Sequence, residues 1–291
     1  MTSHNNQKKA AIINDFTGFG RCSIAVALPI LSAMKIQCCP LPTAIFSNHT
    51  GFPSCHWTDY TGHMAPYMME WEKLGLEFQA IATGFLGSDA QIDLVKQFLT
   101  AFKGPDTIAV IDPVMGDYGK LYATYTPDLA RRMRELVAFA DILTPNLTEA
   151  CILTRRDFSP APSEAELTAM CEALSDLGPD RIVISGLELG SELGNFVYQR
   201  GKPSQLLTQP RVGDYRSGTG DVFSAILTGD AVNGVNFAAS VQHAAAFVAK
   251  AIQRSIELEI PLTDGVAFEE LLGELIPGDP AAISSKGAIH P

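Results

Sequence analysis

The sequence predicts an α/β protein of three layers, a mostly parallel sheet held between two layers of helices. Two observations predict it. Apolar runs of strand length alternate along the chain with segments of helical period, the pattern of parallel strands joined by crossover helices. Two of the runs, TIAVI from residue 107 and RIVI from residue 181, are continuously apolar after their first residue, which suits strands covered on both faces.

In chain order the predicted strands are AAIIN at 10–14, PTAIF at 42–46, FQAIATG at 78–84, TIAVID at 107–112, DIL at 141–143 and RIVIS at 181–185. Ser88-Asp89-Ala90-Gln91 has the spacing of a capping box. Ile92, Val95, Phe98 and Leu99 then fall on one helical face before Gly104-Pro105 stops the run. Ala165 to Leu177 reads as another amphipathic helix, closed by Gly178-Pro179, and Val222 to Val232 and the alanine-rich Phe237 to Ile252 read as two more. LGNFVYQR at 193–200 and SQLLTQP at 204–210, split by Gly201-Lys202-Pro203, predict an antiparallel hairpin added to the parallel core. Gly116 to Thr126, with two glycines, three tyrosines and no apolar period, predicts a mobile loop of lid type. No repeat or linker divides the chain, so a single domain over 1–291 is expected, with its core at about 10–276 and a flexible tail over 277–291.

Bulk properties narrow the function. With 46% apolar and 18% charged residues in 291, the chain can bury a core without disulfide staples. The six cysteines, at 22, 38, 39, 55, 151 and 171, show no zinc-ribbon or redox spacing, and a reduced, cytoplasmic location is expected. The opening MTSHNNQKKAAIINDF lacks the apolar stretch of a signal peptide. Cys22 to Met34, the longest charge-free apolar run, is shorter than the roughly 20 residues of a membrane span and contains Pro29. A balance of 21 basic against 32 acidic residues, net −11, argues against a nucleic-acid surface. A polyanionic substrate must then be held by local donors.

Four features are candidates for those donors. Arg216-Ser217-Gly218-Thr219-Gly220-Asp221 is a glycine loop running into an apolar-periodic helix. Its backbone N–H groups can approach an anion and the helix start adds partial positive charge, while Asp221 can accept a proton from a substrate hydroxyl. It is not a Walker loop, since no Gly-Lys-Ser/Thr follows, and a carboxylate that simply caps a helix explains the string equally well. Asp112-Pro113-Val114-Met115-Gly116-Asp117 leaves the C-terminal end of a strand, where open α/β sheets place ligands. Its two carboxylates suit magnesium-bound water or phosphate, or a plain strand-ending turn. Thr144-Pro145-Asn146-Leu147-Thr148-Glu149 also follows a strand; Asn146 and Glu149 form a helix-capping pair, and Glu149 can in addition face a metal-phosphate group. Ser47-Asn48-His49-Thr50-Gly51 can read a small heteroaromatic ring or form ordinary Asx-type turns. None of the six histidines forms a ligand-spaced pair.

These features, in this order, resemble the pyridoxal and pyridoxamine kinases of the ribokinase-like superfamily, over about Ile12 to Ile252. Gly218-Thr219-Gly220-Asp221 is shared with sugar and hydroxymethylpyrimidine kinases. Phe46 to Gly51, Thr83-Gly84-Phe85, Asp112 to Asp117 and Thr144-Pro145-Asn146 are more specific to the vitamin B6 branch. The resemblance implies that Asp221 is the base for a 5′-hydroxyl and that Gly218, Thr219 and Gly220 form the anion hole. It implies that Asp112, Asp117, Thr144, Asn146, Glu149 and Ser185 lie on the side of ATP, with Mg2+ at Asp112 and Glu149, partly through water. Asn14, Ser47, Thr50 and Phe85 would lie on the side of the pyridine ring. It further implies a homodimer, no separate β-lid domain and a monovalent cation, K+, near the nucleotide. Asn14 stands where many members have serine, Phe85 where tyrosine is frequent, and Gly186 where a second hydroxyl residue often follows Ser185. Phosphorylation of a B6 vitamer is the expected reaction; a hydroxymethylpyrimidine or sugar kinase, and a catalytically silent cofactor binder, are the alternatives.

Overall fold

The computed structural model describes residues 2–122 and 124–277. Its elements run β1 (Lys9–Thr17), α1 (Ser23–Ala33), β2 (Gln37–Phe46), β3 (Trp57–Asp59), α2 (Thr61–Lys73), β4 (Ala80–Thr83), α3 (Asp89–Phe102), β5 (Ile108–Ile111), β6 (Gly116–Asp117), β7 (Lys120–Leu121), α4 (Pro127–Val137) and β8 (Ile142–Leu143). They continue as α5 (Leu147–Thr154), α6 (Glu164–Ser175), β9 (Arg181–Leu189), β10 (Glu192–Gln199), β11 (Gln205–Pro210), α7 (Thr219–Val232) and α8 (Phe237–Glu257), then two 3₁₀ turns at Leu262–Asp264 and Glu269–Leu275.

One sheet orders the strands β11-β10-β9-β8-β5-β4-β1-β2-β3. The six from β9 to β2 are parallel, and β3, β10 and β11 add antiparallel margins. The predicted hairpin is present, pairing Leu193 with Gln209 and Phe196 with Leu206. The apolar strands bury both faces, as their composition requires. Ala11 and Ile13 of β1 pack with Met64, Ile92, Phe98, Met133 and Cys171 of α2, α3, α4 and α6, whereas Ala10 and Ile12 pack with Ile30, Ile226 and Val241 of α1, α7 and α8. Two helix layers thus cover one sheet, the three-layer arrangement the pattern predicts. No helix among the described residues is long and apolar enough to cross a membrane.

The topology fixes where ligands can enter. From β1 the chain crosses by α1 to β2 on one side, and it later returns by α2 to β4 on the other. The loops leaving β1 and β4 therefore diverge to opposite faces and open a crevice at their C-terminal ends, the usual binding position in open α/β sheets.

Two expectations change. The segment 116–126 carries a short hairpin that its composition did not predict. β6 and β7 pair Gly116 with Leu121 and Asp117 with Lys120 across a two-residue turn, in which Tyr118 and Gly119 both take positive φ, +50° and +75°. Gly119 N–H donates to Thr148 Oγ1 at 2.9 Å, Tyr122 N–H to the Met115 carbonyl at 2.9 Å, and Tyr125 is buried. A stretch this short needs no apolar period to pair, so composition did not reveal it; Ala123 lies outside the described residues. Helices α1, α2 and α4 were not predicted; α1 and α2 each run through an internal proline, Pro29 and Pro66, that reads as a breaker, and α4 lies directly after the segment read as a loop. The expected tail lies, beyond Pro277, outside the described residues.

Candidate active site

The glycine loop enters α7 as the spacing predicts. Gly218 is the N-cap residue at φ +77° and has no side chain to cap the helix, so the first N–H groups of the helix are free to meet an anion. A Cβ on Gly218 would collide with the Arg21 carbonyl, whereas a Cβ on Gly220 would meet nothing within 4 Å. One glycine is thus required by packing and the other faces open space. Behind the loop, the buried Arg216 guanidinium donates from one nitrogen to the carbonyls of Ile260, Pro261 and Gly265 at 2.8, 3.2 and 3.4 Å. Thr219 Oγ1 donates to the Arg216 carbonyl at 3.2 Å.

The segment 260–269 also holds two neighbouring loops. His49 Nε2 donates to the Thr263 carbonyl at 2.7 Å while its Nδ1 accepts from Gly51 N–H at 3.1 Å, which fixes the tautomer. Arg21 pairs with Glu269 at 2.6 Å and donates to the Asp264 carbonyl at 3.1 Å. Gly20, Arg21 and Ser23 all take positive φ, +111°, +45° and +57°, a concentration of backbone strain beside Asp221 that the packing around it must hold.

Asp221 lies in the first turn of α7, half-buried, and Asn14 Nδ2 donates to its Oδ1 at 3.2 Å. Burial pushes the Asp221 carboxyl up to about 6; the charge of Asp15 adds to the rise, and the Ser23 backbone N–H and the Asn14 amide oppose it. Asp15 follows Asn14 where the pairing of β1 with β2 slips by one residue, the extra residue lying on β2. There it is 6% exposed, accepting from Thr17 Oγ1 at 2.6 Å and Ser23 Oγ at 2.7 Å, and burial raises its pKa.

On the other side of the crevice stand the remaining carboxyls. Asp112 leaves β5, and burial, with the charges of Glu149 and Asp221, holds its pKa well above the usual range. Glu149, 3% exposed, forms the expected capping box of α5 with Asn146 and also accepts from Met115 N–H at 3.0 Å. Burial pushes it up as well, while those backbone N–H groups pull it down. Asn146 Nδ2 donates to the Gly116 carbonyl at 2.8 Å, and Asn146 forms an isolated parallel bridge with Ser185 in the middle of β9. Asp117 accepts from Tyr118 N–H at 2.8 Å; burial raises it, and that N–H opposes the rise. The buried hydroxyls of Thr83 and Thr144 have no partner among the described residues, an arrangement that suits a ligand donor or acceptor.

Asn14, Thr83, Gly84, Asp112, Asp221 and Ser224 line a cavity of about 20 Å³ between β1, β4, β5 and α7. The structure therefore brings Asn14, Asp112 and Asp221 together, with Asn146, Glu149 and Ser185 beside them. Ser47 and Thr50 are exposed on the loop after β2 and do not line that cavity. Ser47 Oγ donates to Asn48 Oδ1 at 2.7 Å and accepts from His56 N–H at 2.9 Å. Phe85, half-buried, meets Phe46 and Tyr125 edge-on, with ring centroids 6.0 and 6.1 Å apart. The sequence reading passed over Asp15, Arg216 and Thr83. A carboxylate directly after an apolar strand run was the available signal for Asp15, while Arg216 and Thr83 stood in quoted motifs without a role.

The chain is similar to several known proteins. The sequence profile of a family described as phosphomethylpyrimidine kinase matches residues 31–262. Over 204 residues the chain is 32% identical to the pyridoxal kinase of Arabidopsis thaliana, a match that covers 65% of this chain and 63% of that protein, less than two thirds of its length. Among solved structures, a Bacteroides thetaiotaomicron protein provisionally assigned as a phosphomethylpyrimidine kinase has a TM-score of 0.92 at 35% identity, covering 96% of this chain and 98% of that one. A second crystal form of that protein, with pyridoxal, has a TM-score of 0.90, covering 94% and 98%. Pyridoxal kinase from Lactobacillus plantarum has a TM-score of 0.85 at 25% identity, covering 96% and 99%. The fold is the ribokinase-like one.

Proposed function

The chain belongs to the phosphomethylpyrimidine kinase family, and from that premise we propose that it transfers the γ-phosphoryl group of ATP to the 5′-hydroxyl of a vitamin B6 vitamer: pyridoxal, pyridoxine or pyridoxamine. The observation that carries the reading is the uncapped N-terminus of α7, with Asp221 in its first turn and Asn14 bound to that carboxylate. Asp221 takes the hydroxyl proton as the substrate oxygen bonds to the γ-phosphorus and the bond to ADP breaks. Charge on the γ-phosphoryl oxygens then faces the N–H groups at Thr219 and Gly220. A carboxyl raised to about 6 is ionised at neutral pH and is a better base than an ordinary aspartate.

Asp112, Asp117, Thr144, Asn146, Glu149 and Ser185 would border ATP, and Phe85, Ser47 and Thr50 the pyridine ring. Asp112 is the carboxylate best suited to Mg2+, since its side chain takes no hydrogen bond among the described residues. Both Glu149 oxygens already accept backbone N–H groups, so Glu149 reaches a cation through water. Bound magnesium would offset phosphate charge. A K+ site near the nucleotide rests on the resemblance alone. A homodimer is supported by the exposed apolar pair Phe16 and Ile45, register partners on β1 and β2. A cytoplasmic location is supported by six free cysteines.

The second reading is a hydroxymethylpyrimidine kinase, favoured by the description of the family and of the Bacteroides neighbour. Pyridoxal in that neighbour's second crystal form weighs toward the vitamer. An ADP-release assay with the three vitamers and hydroxymethylpyrimidine at millimolar magnesium decides between them. At least one vitamer is expected to exceed the pyrimidine by about tenfold or more in kcat/KM. Turnover of none of the vitamers sinks the reading, and ligand binding without ADP release identifies a silent binder.

A further inference from the structure

Asn14 lies in β1 directly after Ile13, where the pairing of β1 with β4 ends, on the edge of the crevice where the loops after β1 and β4 part. Its side chain is 7% exposed and almost fully committed. Oδ1 accepts from Asp15 N–H at 2.9 Å and from Phe85 N–H at 2.8 Å, which ties β1 to the loop after β4. Those two donors also decide the orientation of the amide, because a flipped group would set N–H against N–H. Nδ2 is thereby turned to Asp221 Oδ1, 3.2 Å away.

The seat beneath the amide is made by a missing side chain. A Cβ on Gly84 would collide with the Asn14 amide nitrogen and carbon, and the backbone of Gly84 lies outside the left-handed region, so space and not conformation requires glycine there. Turning Asn14 toward a substrate ring would break two backbone contacts and leave buried donors unpaired.

We propose that Asn14 is a positioning residue for Asp221, aiming the carboxylate at the substrate hydroxyl from a seat that Gly84 keeps open, and is not a reader of the substrate ring. The inference rests on the kinase reading given above. It differs from a ring contact in what it predicts: a group that acts through the base changes kcat, whereas a group that binds the ring equally before and during reaction changes KM.

The test uses the full chain with its best vitamer in the ADP-release assay. N14A is expected to lower kcat by roughly 10- to 100-fold with KM for the vitamer held within about twofold. G84A, whose new Cβ displaces the amide, should lower kcat to a similar degree. N14A/G84A should be no worse than N14A alone, because the added methyl then enters vacated space. A rise in KM at unchanged kcat for N14A, or a double variant showing the product of the two single losses, overturns the proposal. Urea unfolding of the same variants gives a readout that needs no substrate. The factor by which G84A lowers the folding equilibrium constant should shrink in the N14A background, and the factor for N14A should shrink in a D221A background. Absence of either coupling also overturns the proposal. Should the wild type turn over no vitamer, the kinase reading fails by itself, and the unfolding cycles still decide whether Asn14, Gly84 and Asp221 act as one unit.

Discussion

Asn146 and Glu149 cap each other across the first turn of α5, the asparagine oxygen accepting from Glu149 N–H at 2.9 Å and the carboxylate from Asn146 N–H at 2.8 Å. The second carboxylate oxygen reaches Met115, so the pair also fastens the strand end that carries Asp112. Glu149→Ala should therefore cost about 1–3 kcal/mol, because it strands two buried N–H donors, and Asn146→Ala about 1 kcal/mol. Urea unfolding measures both. Glu149→Gln should fall between wild type and alanine, since its amide can satisfy only one of the two donors.

The two glycines of the α7 entry should separate stability from activity. Gly218→Ala meets the Arg21 carbonyl from a left-handed backbone and is expected to lose at least 1–2 kcal/mol along with turnover. Gly220→Ala meets nothing in the protein, so its unfolding midpoint should match wild type. Its methyl projects into the space proposed for the transferring group, and turnover should still fall by about tenfold or more. Thermal unfolding beside the ADP-release assay checks the contrast.

The base should be visible in the pH profile. A carboxylate must be ionised to accept a proton, so kcat/KM is expected to fall as pH drops through about 6 and to level off above it. Asp15→Asn removes a charge that helps hold Asp221 up, so this limb should move to lower pH. Asp221→Asn should lower kcat by roughly 10²- to 10⁴-fold above about pH 6, with the gap narrowing as the wild-type carboxyl is protonated at lower pH.

Away from the site, His243 Nδ1 pairs with the buried Asp230 carboxylate at 2.9 Å, and Ser240 Oγ donates to the same oxygen at 2.9 Å. The hydrogen bond and charge of Asp230 raise His243 above its ordinary 6.5. The folded state thus holds the proton more tightly than the unfolded chain. The contribution is full below 6.5 and is lost as pH rises through the raised value. His243→Gln should therefore be less stable than wild type at pH 5–6, with the gap closing on the alkaline side; it stays small, because the imidazole is partly exposed. Urea unfolding across that range measures it.

Much of this was legible in the sequence because it depends on local chemistry. Strand runs such as TIAVI must be covered on both faces wherever they lie, and the Ser88, Asn146 and Gly218 helix starts are written in a few adjacent residues. What escaped depends on contacts between distant residues. Pro29 and Pro66 sit inside helices that tertiary packing sustains against their local preference. The burial of Asp15 depends on Thr17 and Ser23, whose hydroxyls its carboxylate accepts, and its run of neighbours does not record that. The commitment of the Asn14 amide depends on Phe85 and Asp221, 71 and 207 residues away.

The stretch from Ile260 to Glu269 accepts from Arg216, His49 and Arg21, and so fastens the loops of all three. These ties give the molecule an order of completion. A nascent chain that has emerged only as far as α8 carries every strand of the sheet and every carboxyl of the crevice, but nothing yet clamps the loops around Asp221. The sheet can form before this segment emerges, whereas the loops around Asp221 are tied down only once the residues after α8 have joined them.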